Sequence, residues 1–173
     1  MAAPCVLFQT GTDPFNSNYE DLEGRVAFTM ALASHTPNLV VRLTREAPWA
    51  EQHPTIMGPE RSYFYFGPQV TPGYVVYGNN HITLPMPHLC RLQKEGSNSR
   101  YFTAQSGRAY KWRISPQRME CIDGRLCLAV WELLSSPESD YQARVTLSPA
   151  AMGFVTEIMT TLILNRMYIW SNW

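Results

Sequence analysis

A long apolar segment near the end of the sequence constrains the fold more than any other feature. Between residues 150 and 170 the only residue unfavourable to a helix interior is Gly153. Ser148 suits the residue that caps a helix, and Pro149 suits the first helical position. The pattern predicts an α-helix over about residues 149–170.

The polar residues of this segment form one narrow stripe, and apolar residues cover the rest of the predicted helix. Glu157, Thr160, Thr161 and Asn165 recur at spacings of three and four, which places them on one side. Such a helix needs apolar cover on most of its circumference, from either a bilayer or a surrounding sheet. Glu157, Asn165 and Arg166 favour the sheet, because ionisable groups are costly in a bilayer. We expect a core helix.

About a dozen short runs rich in β-branched and aromatic residues precede this segment, and Gly, Pro, Asn and Ser separate them. This spacing is typical of a barrel or a sandwich. Turn-forming residues in 10–24 predict a loop with at most one helical turn, and the Pro-rich residues 45–61 predict a long exposed excursion. The predicted strands cover residues 6–9, 26–33, 39–43, 63–66, 74–77, 82–84, 89–92, 101–104, 109–114, 118–122, 125–131 and 142–147.

The clearest predicted hairpin turns at Asp123 and Gly124, a pair that supports the positive φ angles of a tight turn. If these two residues alone form the loop, Cys121 and Cys127 point to opposite faces and no disulfide joins them. A three-residue loop centred on Gly124 would bring the two thiols together. The first register is the expectation here.

Length and charge indicate one domain over residues 1–173 and limit the classes of partner. The chain has 173 residues, and its 14 basic and 14 acidic residues give zero formal net charge. A general nucleic-acid binder carries a basic excess, so no nucleic-acid partner is expected. Four cysteines are too few for a disulfide scaffold, and the first residues lack the pattern of a secretion signal. These features predict a cytoplasmic protein with free thiols.

One motif supports a resemblance to a known family. Residues 101–112 have the form F-x-A-x-x-G-x-x-Y-x-W, and the Asp123–Gly124 hairpin, a Leu-Ala-Val-Trp run and the apolar helix follow. Over about residues 100–170 the chain resembles a family of small uncharacterised domains of mushroom-forming fungi. That family is similar, more distantly, to the tubby C-terminal-like and scramblase-like fold. The resemblance implies a mainly β fold, a closed antiparallel barrel of about twelve strands around a hydrophobic C-terminal helix, and an association with membrane phospholipids.

The densest cluster of basic side chains lies within residues 100–125. On a strand, Lys111 and Arg113 share one face while Tyr110 and Trp112 share the other. One interpretation is a cationic surface for a phosphate or lipid headgroup. The other is a solvated sheet face that Glu120 and Asp123 partly neutralise. The candidate headgroup-binding residues are Arg108, Lys111, Arg113, Arg118 and Arg125.

Three further features are candidate sites. His88 and Cys90 alternate on a predicted strand and would share a face, but no third group supports a catalytic or metal-binding pair. Glu157 inside an apolar helix needs a raised pKa or a partner, and a bond to the surrounding wall is expected. The aromatic run 63–66 and Trp49 in the predicted excursion suggest a ligand or glycan site, whereas alternating burial on a strand is the simpler interpretation of the run.

The sequence therefore predicts a non-enzymatic binding module for phospholipid headgroups or a membrane surface. The alternative is a protein- or glycan-interaction protein with a developmental or defence role in a fungus. Neither a metal nor another cofactor is expected, because no ligand spacing or phosphate-binding glycine loop occurs.

Overall fold

The structure, a computed structural model, describes residues 2–136 and 140–173. Within them, twelve β-strands form one antiparallel sheet, and two α-helices accompany it. The strands are β1 (Cys5–Thr10), β2 (Asn18–Glu20), β3 (Val26–Ser34), β4 (Val40–Arg45), β5 (Arg61–Tyr65), β6 (Tyr74–Tyr77), β7 (Thr83–Pro85), β8 (Ser99–Thr103), β9 (Ala109–Ile114), β10 (Arg118–Asp123), β11 (Leu126–Leu133) and β12 (Tyr141–Leu147). The helices are α1 (Ala47–Ala50) and α2 (Val155–Ser171).

The sheet consists of two meanders joined by its first and last strands. Its order is β7-β6-β5-β4-β3-β2-β1-β12-β11-β10-β9-β8, so every neighbour except the β1–β12 pair is consecutive along the chain. Leu7 of β1 lies opposite Val145 of β12, and both side chains are fully buried. The last strand therefore occupies the middle of the sheet and delivers α2 to its inner face.

The apolar C-terminal segment is the centre of the core, as its pattern predicts. Every residue of α2 from Val155 to Met167 is buried. The segment begins differently from the prediction, because Pro149–Phe154 forms a 3₁₀ turn and the α-helix starts at Val155. Phe154, at the junction between the 3₁₀ turn and α2, has a non-helical backbone (φ −140°, ψ 38°). Its ring stacks on the Tyr110 ring, with 4.8 Å between the ring centroids. Ser148 lies at the predicted cap position but makes no capping side-chain bond.

The polar stripe of α2 bonds to widely separated parts of the sheet. The hydroxyls of Thr160 and Ser62 on β5 lie 2.8 Å apart. Gln105, between β8 and β9, donates its backbone N–H to Glu157 Oε1 at 2.6 Å. Since these partners come from both halves of the sheet, the sheet curves around the helix. No helix in the described part of the chain combines the length and apolarity needed to cross a membrane.

The edge strands β7 and β8 share no ladder within the described residues, and the chain between them bridges the gap. Met86–Leu89 forms a 3₁₀ turn, and Arg91 then makes an isolated antiparallel bridge with Tyr101 of β8. The strand predicted over residues 89–92 is therefore wrong. Pro87 within the 3₁₀ turn supplies no N–H group, so the ladder of β7 ends before it.

Two local predictions are corrected by tertiary contacts. The loop predicted over residues 10–24 contains β2, whose three residues pair with both β1 and β3 and bury Tyr19. The excursion predicted over residues 45–61 contains α1, and its Trp49 is fully buried. The Trp49 ring packs on Phe28 at 5.4 Å and on His53 at 4.8 Å. Trp49 is thus a core residue and not an exposed binding element.

The Asp123–Gly124 hairpin exists, but its register differs from both predicted registers. Asp123 lies opposite Leu126, so Gly124 and Arg125 form the turn, with Gly124 at φ +60°. A bulge between Cys121 and Ile122 absorbs the shift. All four cysteines are free, which confirms the prediction that no disulfide forms.

Candidate functional site

A pocket of about 230 Å³ opens at the end of the sheet where the last turns of α2 leave the core. Most of its wall is apolar, and residues from the β9–β10 turn, β10, β11 and α2 supply it. Arg166 of α2 is the charged residue in the lining, and we call this cavity the Arg166 pocket. The apolar lining residues are Pro116, Met119, Trp131, Leu133, Ile169 and Trp170.

Arg166 is a buried cation, with 8% of its surface exposed. Its Nη2 donates to the backbone carbonyl of Thr12 at 2.9 Å, and its guanidinium carbon lies 4.9 Å from the centre of the Trp131 ring. Within the described part of the chain, its Nη1 meets no acceptor at good hydrogen-bond geometry, although the Tyr19 hydroxyl lies close by. In residues 2–136 and 140–173, no carboxylate forms an ion pair with Arg166. Among these residues, no negative charge compensates the guanidinium.

A short hydrogen-bond chain fixes the wall against which Arg166 lies. The Trp131 indole N–H donates to Gln9 Oε1 at 2.9 Å, and Gln9 Nε2 donates to the carbonyl of Gly11 at 2.8 Å. The Tyr19 hydroxyl lies beside Arg166. Burial raises the pKa of Tyr19, and the charge of Arg166 and a hydrogen bond with Arg166 both oppose that rise. Tyr19 is thus a neutral neighbour of Arg166 and supplies no negative charge.

Three exposed apolar side chains line the mouth of this pocket. Leu133 is 44% exposed, Ile169 is 44% exposed and Trp170 is 57% exposed. We call these three residues the apolar rim. The backbone N–H of Leu133 bonds to the carbonyl of Gln117 at 3.0 Å, which joins the rim to the β9–β10 turn. Contiguous exposed apolar surface of this kind commonly marks a binding site.

Three of the predicted headgroup-binding residues lie on one outer face of the sheet. Lys111 and Arg113 project from β9, and Arg113 lies opposite Glu120 of β10. Arg118 of β10 pairs with Glu132 at 3.1 Å and with Glu120 at 3.7 Å. We call Lys111, Arg113 and Arg118 the cationic face, although Glu120 and Glu132 offset part of its charge.

The remaining two predicted residues lie at the opposite end of these strands. Arg108 precedes β9 and pairs with Asp123 at 2.7 Å, while Arg125 is exposed in the hairpin turn. The expected partial neutralisation by Glu120 and Asp123 is therefore present. Within the described residues, Lys111, Arg113 and Arg125 form no ion pair.

His88 and Cys90 do not form the pair that a shared strand face would give. His88 is exposed on the 3₁₀ turn, whereas Cys90 is buried and its thiol donates to the carbonyl of Met86 at 3.1 Å. Burial raises the pKa of Cys90 to about 11, so it is a neutral thiol near pH 7. The arrangement suits a structural cysteine.

Glu157 is the second buried ionisable group of α2. Its carboxylate accepts a hydrogen bond from the Gln105 N–H, which is the expected bond to the surrounding wall. Burial raises the pKa of Glu157, and the Gln105 N–H opposes this less strongly. No basic side chain in the described part of the chain pairs with it. Glu157 is an internal structural group and does not belong to the Arg166 pocket.

Along the aromatic run 63–66, successive side chains alternate between the buried and the outer side of β5, as predicted. Phe66 continues this alternation just after the strand ends. Phe64 and Phe66 are buried, whereas Tyr63 and Tyr65 are only partly covered. The Tyr65 ring stacks on Tyr74 of β6 at 4.9 Å and 14°. Because these two ring faces cover each other, they offer little free face for a stacked sugar.

The Arg166 pocket was not among the predicted sites. The sequence carries a signal for it, because Arg166 is a cation within an apolar helix, but a single cation does not show which side chains fold around it. Comparison of the chain with protein-family models, with curated proteins and with solved structures gave no match.

Proposed function

We propose that this chain is a non-enzymatic binding module that docks on a membrane surface through anionic phospholipid headgroups. The observation that carries the proposal is the apolar rim of Leu133, Ile169 and Trp170, which stands exposed at one end of the sheet. A Trp side chain suits the boundary between headgroups and acyl chains, because its ring is apolar and its N–H is polar.

Cations next to the rim supply the electrostatic part of the interaction. Arg118 follows Gln117, whose carbonyl holds Leu133, and Lys111 and Arg113 lie on the adjoining strand. Each basic residue near an anionic membrane contributes roughly 1 kcal/mol of attraction. The cytoplasmic leaflet carries such anionic lipids, which agrees with a cytoplasmic protein. In this proposal, Arg108 and Arg125 strengthen the general attraction from the far end of the same strands.

The proposal includes a closed barrel of the tubby C-terminal-like kind. The 3₁₀ turn Met86–Leu89 and the Arg91–Tyr101 bridge occupy the gap between β7 and β8, so the sheet and this turn together would enclose α2. Met86, Leu89 and Cys90 are buried in the same core as α2. A rigid barrel of this kind would present the rim without rearrangement.

Co-sedimentation with vesicles tests the docking. Wild-type protein should bind phosphatidylcholine vesicles that contain phosphatidylserine and should bind pure phosphatidylcholine vesicles weakly. Trp170→Ala should reduce binding because it removes the largest rim side chain. Lys111→Gln with Arg113→Gln should weaken binding roughly 30-fold, at about 1 kcal/mol for each charge removed.

Matched controls separate the site from general effects. Tyr74→Ala removes an exposed aromatic ring of the distant strand β6 and should leave binding unchanged. Lys94→Gln with Arg61→Gln removes two exposed charges outside the cationic face and should have a much smaller effect than the β9 pair. Equal losses in the site and control variants, or no binding to the anionic vesicles, would refute membrane docking.

A further inference from the structure

We infer that the Arg166 pocket is a binding site for a small amphipathic monocarboxylate, whose carboxylate pairs with Arg166 and whose apolar body lies against the pocket wall. This ligand would bind from free solution, so the inference does not rest on membrane docking.

The first observation is the uncompensated charge. Removing a cation from water costs several kcal/mol unless an anion or several hydrogen bonds replace the water. Among the described residues, Arg166 has one backbone carbonyl, one aromatic ring and the neutral Tyr19 hydroxyl in place of that water, and none of these carries a negative charge. A carboxylate at this guanidinium would supply the missing charge and accept from a free donor.

The second observation is the chemistry of the wall. Six of the lining side chains are apolar, and Trp131 holds the guanidinium from one side. An apolar body gains free energy by covering this surface, at roughly 25 cal/mol for each square ångström removed from water. A ligand that is only an inorganic anion would leave the wall exposed.

The size and the charge of the site select the ligand class. A volume of about 230 Å³ is below the roughly 300–1,000 Å³ of sites for drug-sized ligands. It admits one short chain but not the paired chains of a phospholipid. A single guanidinium balances one negative charge, which a carboxylate carries, whereas a phosphate monoester carries about 1.5 to 2 near pH 7.

Isothermal titration calorimetry with decanoate tests the inference, below the concentration at which decanoate forms micelles. Decanoate should bind with one site per chain. Decanol, which has the same chain but no charge, should bind at least about tenfold more weakly, as expected for loss of a charge-assisted bond. Arg166→Gln should abolish the preference for decanoate over decanol.

A rim variant keeps the test decisive if Arg166→Gln fails to fold. Leu133→Glu puts a negative charge at the mouth of the pocket and should weaken decanoate binding about tenfold through repulsion. Leu126→Glu is the matched control, because Leu126 is 49% exposed and lies at the other end of β11. Seven residues of strand separate the two positions by about 23 Å, so Leu126→Glu should bind decanoate like the wild type.

The result that would overturn the inference is equal affinity for decanoate and decanol, or equal effects of the two leucine variants. Binding of a short-chain phosphatidylglycerol without binding of decanoate would also overturn it, since the site would then select a phosphodiester lipid. The vesicle assay gives a separate answer, because Lys111→Gln with Arg113→Gln lies outside the pocket lining and can abolish docking while decanoate still binds.

Discussion

The indole N–H of Trp112 on β9 donates a hydrogen bond of 2.8 Å to the hydroxyl of Thr161 on α2. Both residues are fully buried, and Thr161 in turn donates toward the carbonyls of Glu157 and Ile158 one turn earlier. This contact fixes the rotation of the helix within the sheet, because only the polar stripe of α2 can meet the Trp112 N–H. The same rotation directs Arg166 against Trp131 on β11, two strands away from β9.

Thr161→Val keeps the shape of the side chain but leaves the Trp112 N–H without an acceptor. We expect the free energy of unfolding to fall by about 1–3 kcal/mol, the cost of a buried unsatisfied donor. Urea denaturation measures this loss. Thr146→Val on β12 is the control, because Thr146 is only partly buried and should change stability by less than about 0.5 kcal/mol. Equal effects of the two variants would contradict the structural role of Thr161.

Glu157→Gln should change how stability depends on pH. The pKa of Glu157 is raised in the folded state, so folding retains a proton that the unfolded chain releases above about pH 4.5. The free energy of unfolding of the wild type therefore falls as pH rises from the unfolded pKa through the raised folded pKa. Glutamine keeps the acceptor for the Gln105 N–H and does not ionise, so the variant gains stability relative to the wild type over this interval.

Glu132→Gln is the control, because its effect on the pH dependence of stability should have the opposite sign. The hydrogen bond from Arg144 and the nearby basic charges lower the pKa of Glu132 in the folded state. Its contribution to stability is present above the unfolded pKa and is lost as pH falls through the lowered pKa. Chemical denaturation from about pH 3 to pH 8 compares both variants with the wild type, because the loss at Glu132 begins only below its unfolded pKa. If the stability difference between Glu157→Gln and the wild type does not change with pH, burial does not raise the pKa of Glu157.

Trp49→Ala should destabilise the fold strongly although residues 45–61 read as a loop. Removal of this fully buried ring leaves a cavity beside Phe28 and should cost about 3–5 kcal/mol. Trp170→Ala removes an exposed ring of the same kind and should cost less than about 1 kcal/mol. Thermal unfolding distinguishes them, and similar melting temperatures for the two variants would contradict the burial of Trp49.

The thiols should react with iodoacetamide in the order of their exposure. Cys127 is exposed and should react first in the native protein, whereas Cys90 and Cys121 are buried and should react only on unfolding. Burial also raises the pKa of Cys5 to about 11, which slows this half-exposed thiol. Peptide mass spectrometry after timed labelling gives the order. Early labelling of Cys90 in the folded protein would revive a reactive role for it.

Much of the strand pattern was predictable because it depends on side chains that are close along the chain. The run 74–77 consists of aromatic and β-branched residues, the run 109–114 alternates apolar and basic residues over 110–114, and β6 and β9 have these bounds. The apolar circumference of the segment after Ser148 likewise predicted a buried helix, since few environments other than a core cover such a surface. These features follow from local propensity and from hydrophobic burial.

Other features were decided by partners that are distant in sequence. Tyr19 forms a strand among turn-forming neighbours because β1 and β3 supply ladder partners on both sides. Trp49 is buried because Phe28 offers it a wall, and the bulge at Cys121 shifts the hairpin register by one residue. No pattern within a short window contains these partners, so local periodicity could not reveal them.

The sequence by itself determined that the apolar C-terminal helix must be buried in a mainly β protein, because hydrophobic burial is proportional to apolar area and needs no particular partner. Only the tertiary structure decided that Arg166 would lie over Trp131 and beneath an exposed rim, with no carboxylate of the described residues paired to it. A charge is compensated by atoms within a few ångströms, and folding brings those atoms together from residues more than a hundred positions apart, as in the bond from Arg166 to Thr12.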